Sequence, residues 1–124
     1  GRDVTFVTYG VMLDNVLEAA KLLSRQGIEA TVLRLVNLTD LHEAQILELA
    51  PKDRPVIVVE EAATGSGIHE ALAYGLMQLC PGCRVSSRDL GKDFITHGNV
   101  KKLYEICGLD ATSLAAYAKE VVEA

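Results

Sequence analysis

The sequence predicts an α/β fold, a three-layer α/β/α sandwich with a mostly parallel sheet. Short β-branched runs alternate along the chain with segments of helical periodicity, and the links between them suit βαβ crossovers. One run, Val56-Ile57-Val58-Val59, is apolar without alternation, as a central parallel strand covered on both faces should be.

Each element follows from local pattern. Val4 to Tyr9 is a β-branched and aromatic run closed by Gly10, hence a first strand. From Leu13 to Gln26 the apolar positions Val16, Leu17, Ala20, Leu22 and Leu23 recur at helical spacing. Asp14 and Asn15 mark its start, and Gly27 stops it. Ile28 to Leu35 reads as a second strand, with Ala30 and Val32 inward, and Leu41 to Leu49 as a shorter helix ending before Pro51. Two prolines within Pro51 to Pro55 forbid both a helix and a ladder there, so a loop leads into Val56 to Val59 at the middle of the sheet. A third helix, Ile68 to Leu79, follows a Gly-rich turn, and Arg84 to Asp89, less apolar, is a fourth strand nearer an edge. Leu90 to Gly98 reads as irregular. Val100 to Cys107 and Thr112 to Val122 close the chain as helices separated by Gly108-Leu109-Asp110.

Composition narrows the function. The 124 residues suit one domain, and 49% hydrophobic with 23% charged residues is too apolar for a disordered segment. Twelve Lys and Arg against seventeen Asp and Glu leave a net charge of −5, so no global positive field gathers nucleic acid or anionic lipid. No apolar stretch approaches the roughly 18 residues of a membrane helix. Gly1-Arg2-Asp3 leads into the first strand without a basic-then-apolar leader, and three cysteines suit a reducing compartment better than a disulfide framework. The expectation is a cytoplasmic protein with neither nucleic acid nor membrane as partner.

In such a sandwich, ligands bind beyond the carboxyl ends of the strands. The turn Thr64-Gly65-Ser66-Gly67 stands there, where free N–H groups and a helix dipole could hold an anion, which makes these four residues the candidate regulatory-ligand site. Against this stand the carboxylates of Glu60 and Glu61, and tight strand–helix packing is the preferred explanation of the glycines. The turn is not a P-loop, since Ile68-His69 replace the required Lys-Ser/Thr, nor a dinucleotide fingerprint, since a third Gly is lacking.

Cys80-Pro81-Gly82-Cys83 has the CxxC spacing of redox and zinc motifs. In a thioredoxin-like site the first Cys opens a helix; here Cys80 closes one, and Pro81-Gly82 is a helix stop. Zinc needs a second pair of ligands that Cys107 and the scattered histidines do not supply. Of those histidines, His42 falls in a polar helix start. His69 is expected one turn into the third helix, on the face nearest the strand ends, and His97 lies in Phe94-Ile-Thr-His-Gly98. None has a nucleophile and carboxylate spaced to form a triad. Receiver and flavodoxin chemistry also lack their residues: Tyr9-Gly10 stands in place of an acidic pair, and Gly10 to Leu13 is no Ser/Thr-rich phosphate loop.

Four segments in order carry a resemblance. Asp3-Val-Thr-Phe-Val-Thr-Tyr-Gly10, Gly27-Ile-Glu-Ala-Thr-Val32, Pro55-Val-Ile-Val-Val-Glu-Glu61 and Gly65-Ser-Gly67 together resemble the C-terminal domain of transketolase-like, thiamine-diphosphate-dependent enzymes. In the last third, Leu90-Gly-Lys-Asp-Phe-Ile-Thr-His-Gly98 and Cys107-Gly-Leu-Asp110 look like the closing segment of 1-deoxy-D-xylulose-5-phosphate synthases. The resemblance implies that residues 1–124 are one transketolase C-terminal-like domain, a fragment of a longer enzyme whose sheet gains an antiparallel strand just upstream. It implies no catalytic, cofactor or metal residue in this domain: thiamine diphosphate and Mg²⁺ belong to the other domains of the parent. The domain's implied role is structural, extending contacts in a homodimer. A free-standing subunit of a split transketolase and a small-ligand regulatory module are the alternatives.

Overall fold

The computed structural model describes residues 3–51, 53–91 and 100–124. The strands are β1 (Val4–Thr8), β2 (Ala30–Arg34), β3 (Val56–Val59) and β4 (Val85–Arg88); the helices are α1 (Leu13–Arg25), α2 (Glu43–Leu49), α3 (His69–Leu79), α4 (Val100–Cys107) and α5 (Ala111–Glu123). Among the described residues four strands form one sheet in the order β2-β1-β3-β4, and every pairing is parallel.

Strand alternation divides the interior into two layers. Val4 and Phe6 of β1 and Ile57 and Val59 of β3 point to one face, where they pack with Val16, Ala19 and Leu23 of α1 and Leu114, Ala115 and Ala118 of α5. Val7, Val56 and Val58 point to the other and meet Ile46 of α2 and Leu72 and Leu76 of α3. Every residue of β1 and β3 is buried, whereas β2 and β4 are only partly so. The unbroken apolar tetrad therefore lies at the sheet's centre beside β1, and Arg84 to Asp89 lies at an edge.

Element ends move by a residue or two, each for a local reason. His42 adopts a left-handed conformation with φ +52°, so α2 starts at Glu43 rather than Leu41. Asp110 caps α5, its side chain accepting from the Ser113 N–H at 3.2 Å, so that helix starts at Ala111. His69 is the first residue of α3, not one turn inside it. Residues 92–99, with His97 and most of the Leu90 to Gly98 motif, lie outside the described residues.

Candidate functional site at the strand ends

Thr8 pairs in register with Val59, so the residues that follow them, Tyr9 and Glu60, leave the sheet side by side. Glu60 is 2% exposed, and its carboxylate accepts three hydrogen bonds. The Tyr9 hydroxyl donates to Oε2 at 2.8 Å, the Ile68 N–H to Oε2 at 2.9 Å, and the His69 N–H to Oε1 at 3.2 Å. The last two are unpaired donors of the first turn of α3, where the positive end of the helix dipole favours an anion. Burying a carboxylate is tolerable when donors and a dipole replace its water. The cost falls on Tyr9: burial first, then the hydrogen bond to Glu60 and its charge, raises the hydroxyl far above the ordinary tyrosine range. Tyr9 therefore stays a donor.

The predicted Gly-rich turn is shaped around this carboxylate. A Cβ built on Gly67 would collide with the Glu60 carboxylate, so any larger residue there must displace it. Gly65 has φ +87°, and the Ser66 N–H donates to the Ala63 carbonyl at 2.9 Å, closing the turn. Thr64 is tied to the segment after β4: its N–H donates to the Gly91 carbonyl at 3.1 Å and its hydroxyl to Asp89 Oδ1 at 3.0 Å. The structure thus brings Thr64, Gly65, Ser66 and Gly67 together at the carboxyl ends of the strands, with the protein's own anion already at the helix N-terminus.

Glu61 takes a different partner. It is exposed, and the Tyr104 hydroxyl of α4 donates to its Oε2 at 2.8 Å. Burial, then the Glu61 hydrogen bond and charge, pushes the Tyr104 hydroxyl up to about 12. Neither tyrosine was singled out by sequence reasoning. The available signal was Tyr-Gly ending one strand and Glu-Glu ending another, readable only once the two are placed in register.

The other candidates are placed as follows. His42 is exposed, its Nδ1 3.7 Å from Asp40 Oδ1. His69 gives its backbone N–H to Glu60, and its Nε2 is buried with no hydrogen-bond partner among the described residues. Cys80, Cys83 and Cys107 are free thiols, with Cys80 at the C-terminal end of α3. Among the described residues no group of three or more His, Cys, Asp or Glu could hold a metal ion, and no helix is long and apolar enough to cross a membrane.

Comparison with known proteins agrees with this architecture. Residues 1–114 match the model of the transketolase C-terminal domain. The chain is 32% identical over 124 residues to the 1-deoxy-D-xylulose-5-phosphate synthase of Heliobacterium modesticaldum, covering all of this chain and 19% of that protein. It is 34% identical over 123 residues to a putative transketolase family protein of Sinorhizobium fredii, of which it covers 35%. Among solved structures, a split-gene transketolase in an inactive β4 tetramer superposes with a TM-score of 0.82 at 26% identity, over 99% of this chain and 40% of that one. The transketolase of Campylobacter jejuni shares the fold, with a TM-score of 0.70 at 21% identity over 96% of this chain and 17% of its own. With its residues 1–114 matched by that family model, this chain belongs to the transketolase C-terminal domain family.

Proposed function

We propose that this chain is the C-terminal, non-catalytic domain of a thiamine-diphosphate-dependent transferase of the 1-deoxy-D-xylulose-5-phosphate synthase type, and that it extends subunit contacts in a cytoplasmic homodimer. The parent reaction joins a two-carbon unit from pyruvate to glyceraldehyde 3-phosphate with loss of carbon dioxide. The observation that carries this reading is that the likeness to the Heliobacterium synthase runs along all 124 residues instead of resting on one motif. The chain spans about a fifth of that relative's length, so the catalytic groups are assigned to the remainder.

The residues at the strand ends do not fit thiamine diphosphate with its Mg²⁺. The helix N-terminus that would cradle a diphosphate is engaged by the Glu60 carboxylate, and Glu61 adds a second negative charge beside it. An exogenous anion at Thr64, Gly65, Ser66 or Gly67 would have to bind against both. We therefore assign the turn to holding Glu60. Inorganic phosphate and phosphate-bearing metabolites are expected to leave Tm unchanged, and a concentration-dependent rise would restore the regulatory-ligand reading.

A contact surface for the rest of the parent is available on the opposite flank. Among the described residues β2 pairs on one side only, and a groove of about 320 Å³ lies between β2 and α2. Val36, 84% exposed, with Leu49, gives it an apolar rim. The similarity to a split-gene transketolase supports a second reading, a free-standing subunit working with a separately encoded catalytic chain. Purification from the native cell separates the two: one long polypeptide carrying this sequence supports the fused domain, and a co-purifying chain of about two domains supports the subunit. Product from pyruvate and glyceraldehyde 3-phosphate with this chain alone would overturn both.

A further inference from the structure

The CxxC segment has no part in the domain's proposed role, and its geometry is specific. Cys80 ends α3, its N–H donating to the Leu76 carbonyl at 2.8 Å. The chain then reverses within four residues: the Cys83 N–H donates to the Cys80 carbonyl at 3.1 Å, and Gly82 has φ +89°. That φ belongs to the third residue of a type II β-turn, and Pro81 occupies the preceding position that proline favours. A β-turn holds its first and fourth Cα atoms within about 7 Å. A disulfide spans roughly 4.4–6.8 Å between Cα atoms.

The two cysteines are neighbours across this turn. The turn sets them at its first and fourth positions, and the Cys83 thiol is pushed up by burial and then by Cys80 beside it. Both cysteines are partly exposed, and Leu79, Pro81 and Gly82 around them are open to solvent. Cys107 is held elsewhere, its thiol donating to the Leu90 carbonyl at 3.5 Å.

We propose that Cys80 and Cys83 form a reversible disulfide across this turn by exchange with a small-molecule disulfide. One cysteine thiolate attacks a sulfur of the reagent RSSR, its S–S bond breaks, and one thiolate RS⁻ leaves and takes up a proton. The second cysteine then attacks the mixed disulfide, forming the Cys80–Cys83 bond and releasing the second RSH. The protein loses two hydrogens and is oxidised; the reagent gains them and is reduced. The bond fixes the last turn of α3 to the residue two before β4, at the rim of the apolar layer that Leu76 and Val85 share with Cys83. This differs from thioredoxin-type catalysis, because the pair closes a helix instead of opening one.

The test is oxidation of the purified protein with oxidised glutathione, followed by thiol counting, intact mass and peptide mapping. Two of the three thiols are expected to disappear with a mass loss of two hydrogens, the Cys80 and Cys83 peptides are expected to be linked, and dithiothreitol is expected to restore all three. Cys107→Ser should still form the ring. Cys80→Ser should instead retain glutathione on Cys83, with circular dichroism confirming that it is folded. Three surviving thiols, stable glutathione adducts on both turn cysteines, a link to Cys107 or a link between two copies would each overturn the proposal.

Discussion

Glu60 and Glu61 are neighbours at the end of β3, and each accepts a tyrosine hydroxyl at 2.8 Å, yet their surroundings are opposite. Glu60 is buried beneath α3 with two backbone donors besides Tyr9; Glu61 faces solvent, where water competes with Tyr104. Equal distances therefore do not mean equal energies. A buried charge has no solvent to return to when a partner is removed, whereas an exposed one exchanges its partner for water at little net cost.

The sharpest way to break this contrast is to remove the two carboxylates in turn. Glu60→Ala leaves the Tyr9 hydroxyl and two helix N–H groups without an acceptor in the interior and should cost about 3–5 kcal/mol in urea unfolding. Glu61→Ala should cost less than about 1 kcal/mol. Equal losses would remove the distinction. Gly67→Ala tests the same carboxylate from the other side, because its methyl group displaces Glu60; the expected loss is about 2–3 kcal/mol. In the Glu60→Ala background that methyl group has room, so the two costs should fall well short of additive. An additive pair would place the strain elsewhere.

Legibility followed sequence separation. The buried strand Val56–Val59 could be read from four consecutive residues, because a run without alternation has few other places to go. The link from Tyr9 to Glu60 could not, since it joins residues 51 apart and depends on the β1–β3 register. The reach of Glu60 to the N–H groups of Ile68 and His69, eight and nine residues on, is no local capping box, whose partners lie three residues apart. Sequence reasoning saw Glu60 as a charge repelling an anion from the turn. Folding makes it the anion that the turn holds. The start of α2 was missed for a more local reason, the left-handed backbone at His42, which a non-glycine residue rarely adopts.

The tyrosines give the smaller and more selective tests. Both hydroxyls titrate above the ordinary value of 10, so both lose protons less readily in the folded state than in the unfolded one. A group shifted in this sense adds stability that is fully present below about pH 10 and fades as pH rises through the folded-state value. For Tyr104 the fading should run from pH 10 to about 12; for Tyr9 it extends higher. Ultraviolet titration of the folded protein should accordingly show one tyrosine ionising near pH 12, absent in Tyr104→Phe.

At neutral pH the two Phe variants should separate the neighbours again. Tyr9→Phe removes one of three donors to a buried carboxylate and should cost about 1.5–3 kcal/mol. Tyr104→Phe removes the hydroxyl from an exposed pair and should cost no more than about 0.5 kcal/mol, since Glu61 turns to water and the ring keeps its packing against the α1–α5 layer. A loss from Tyr104→Phe as large as that from Tyr9→Phe would mean that Glu61 anchors α4 over the strand ends as firmly as Glu60 anchors α3, and that the exposed carboxylate shares in organising the site.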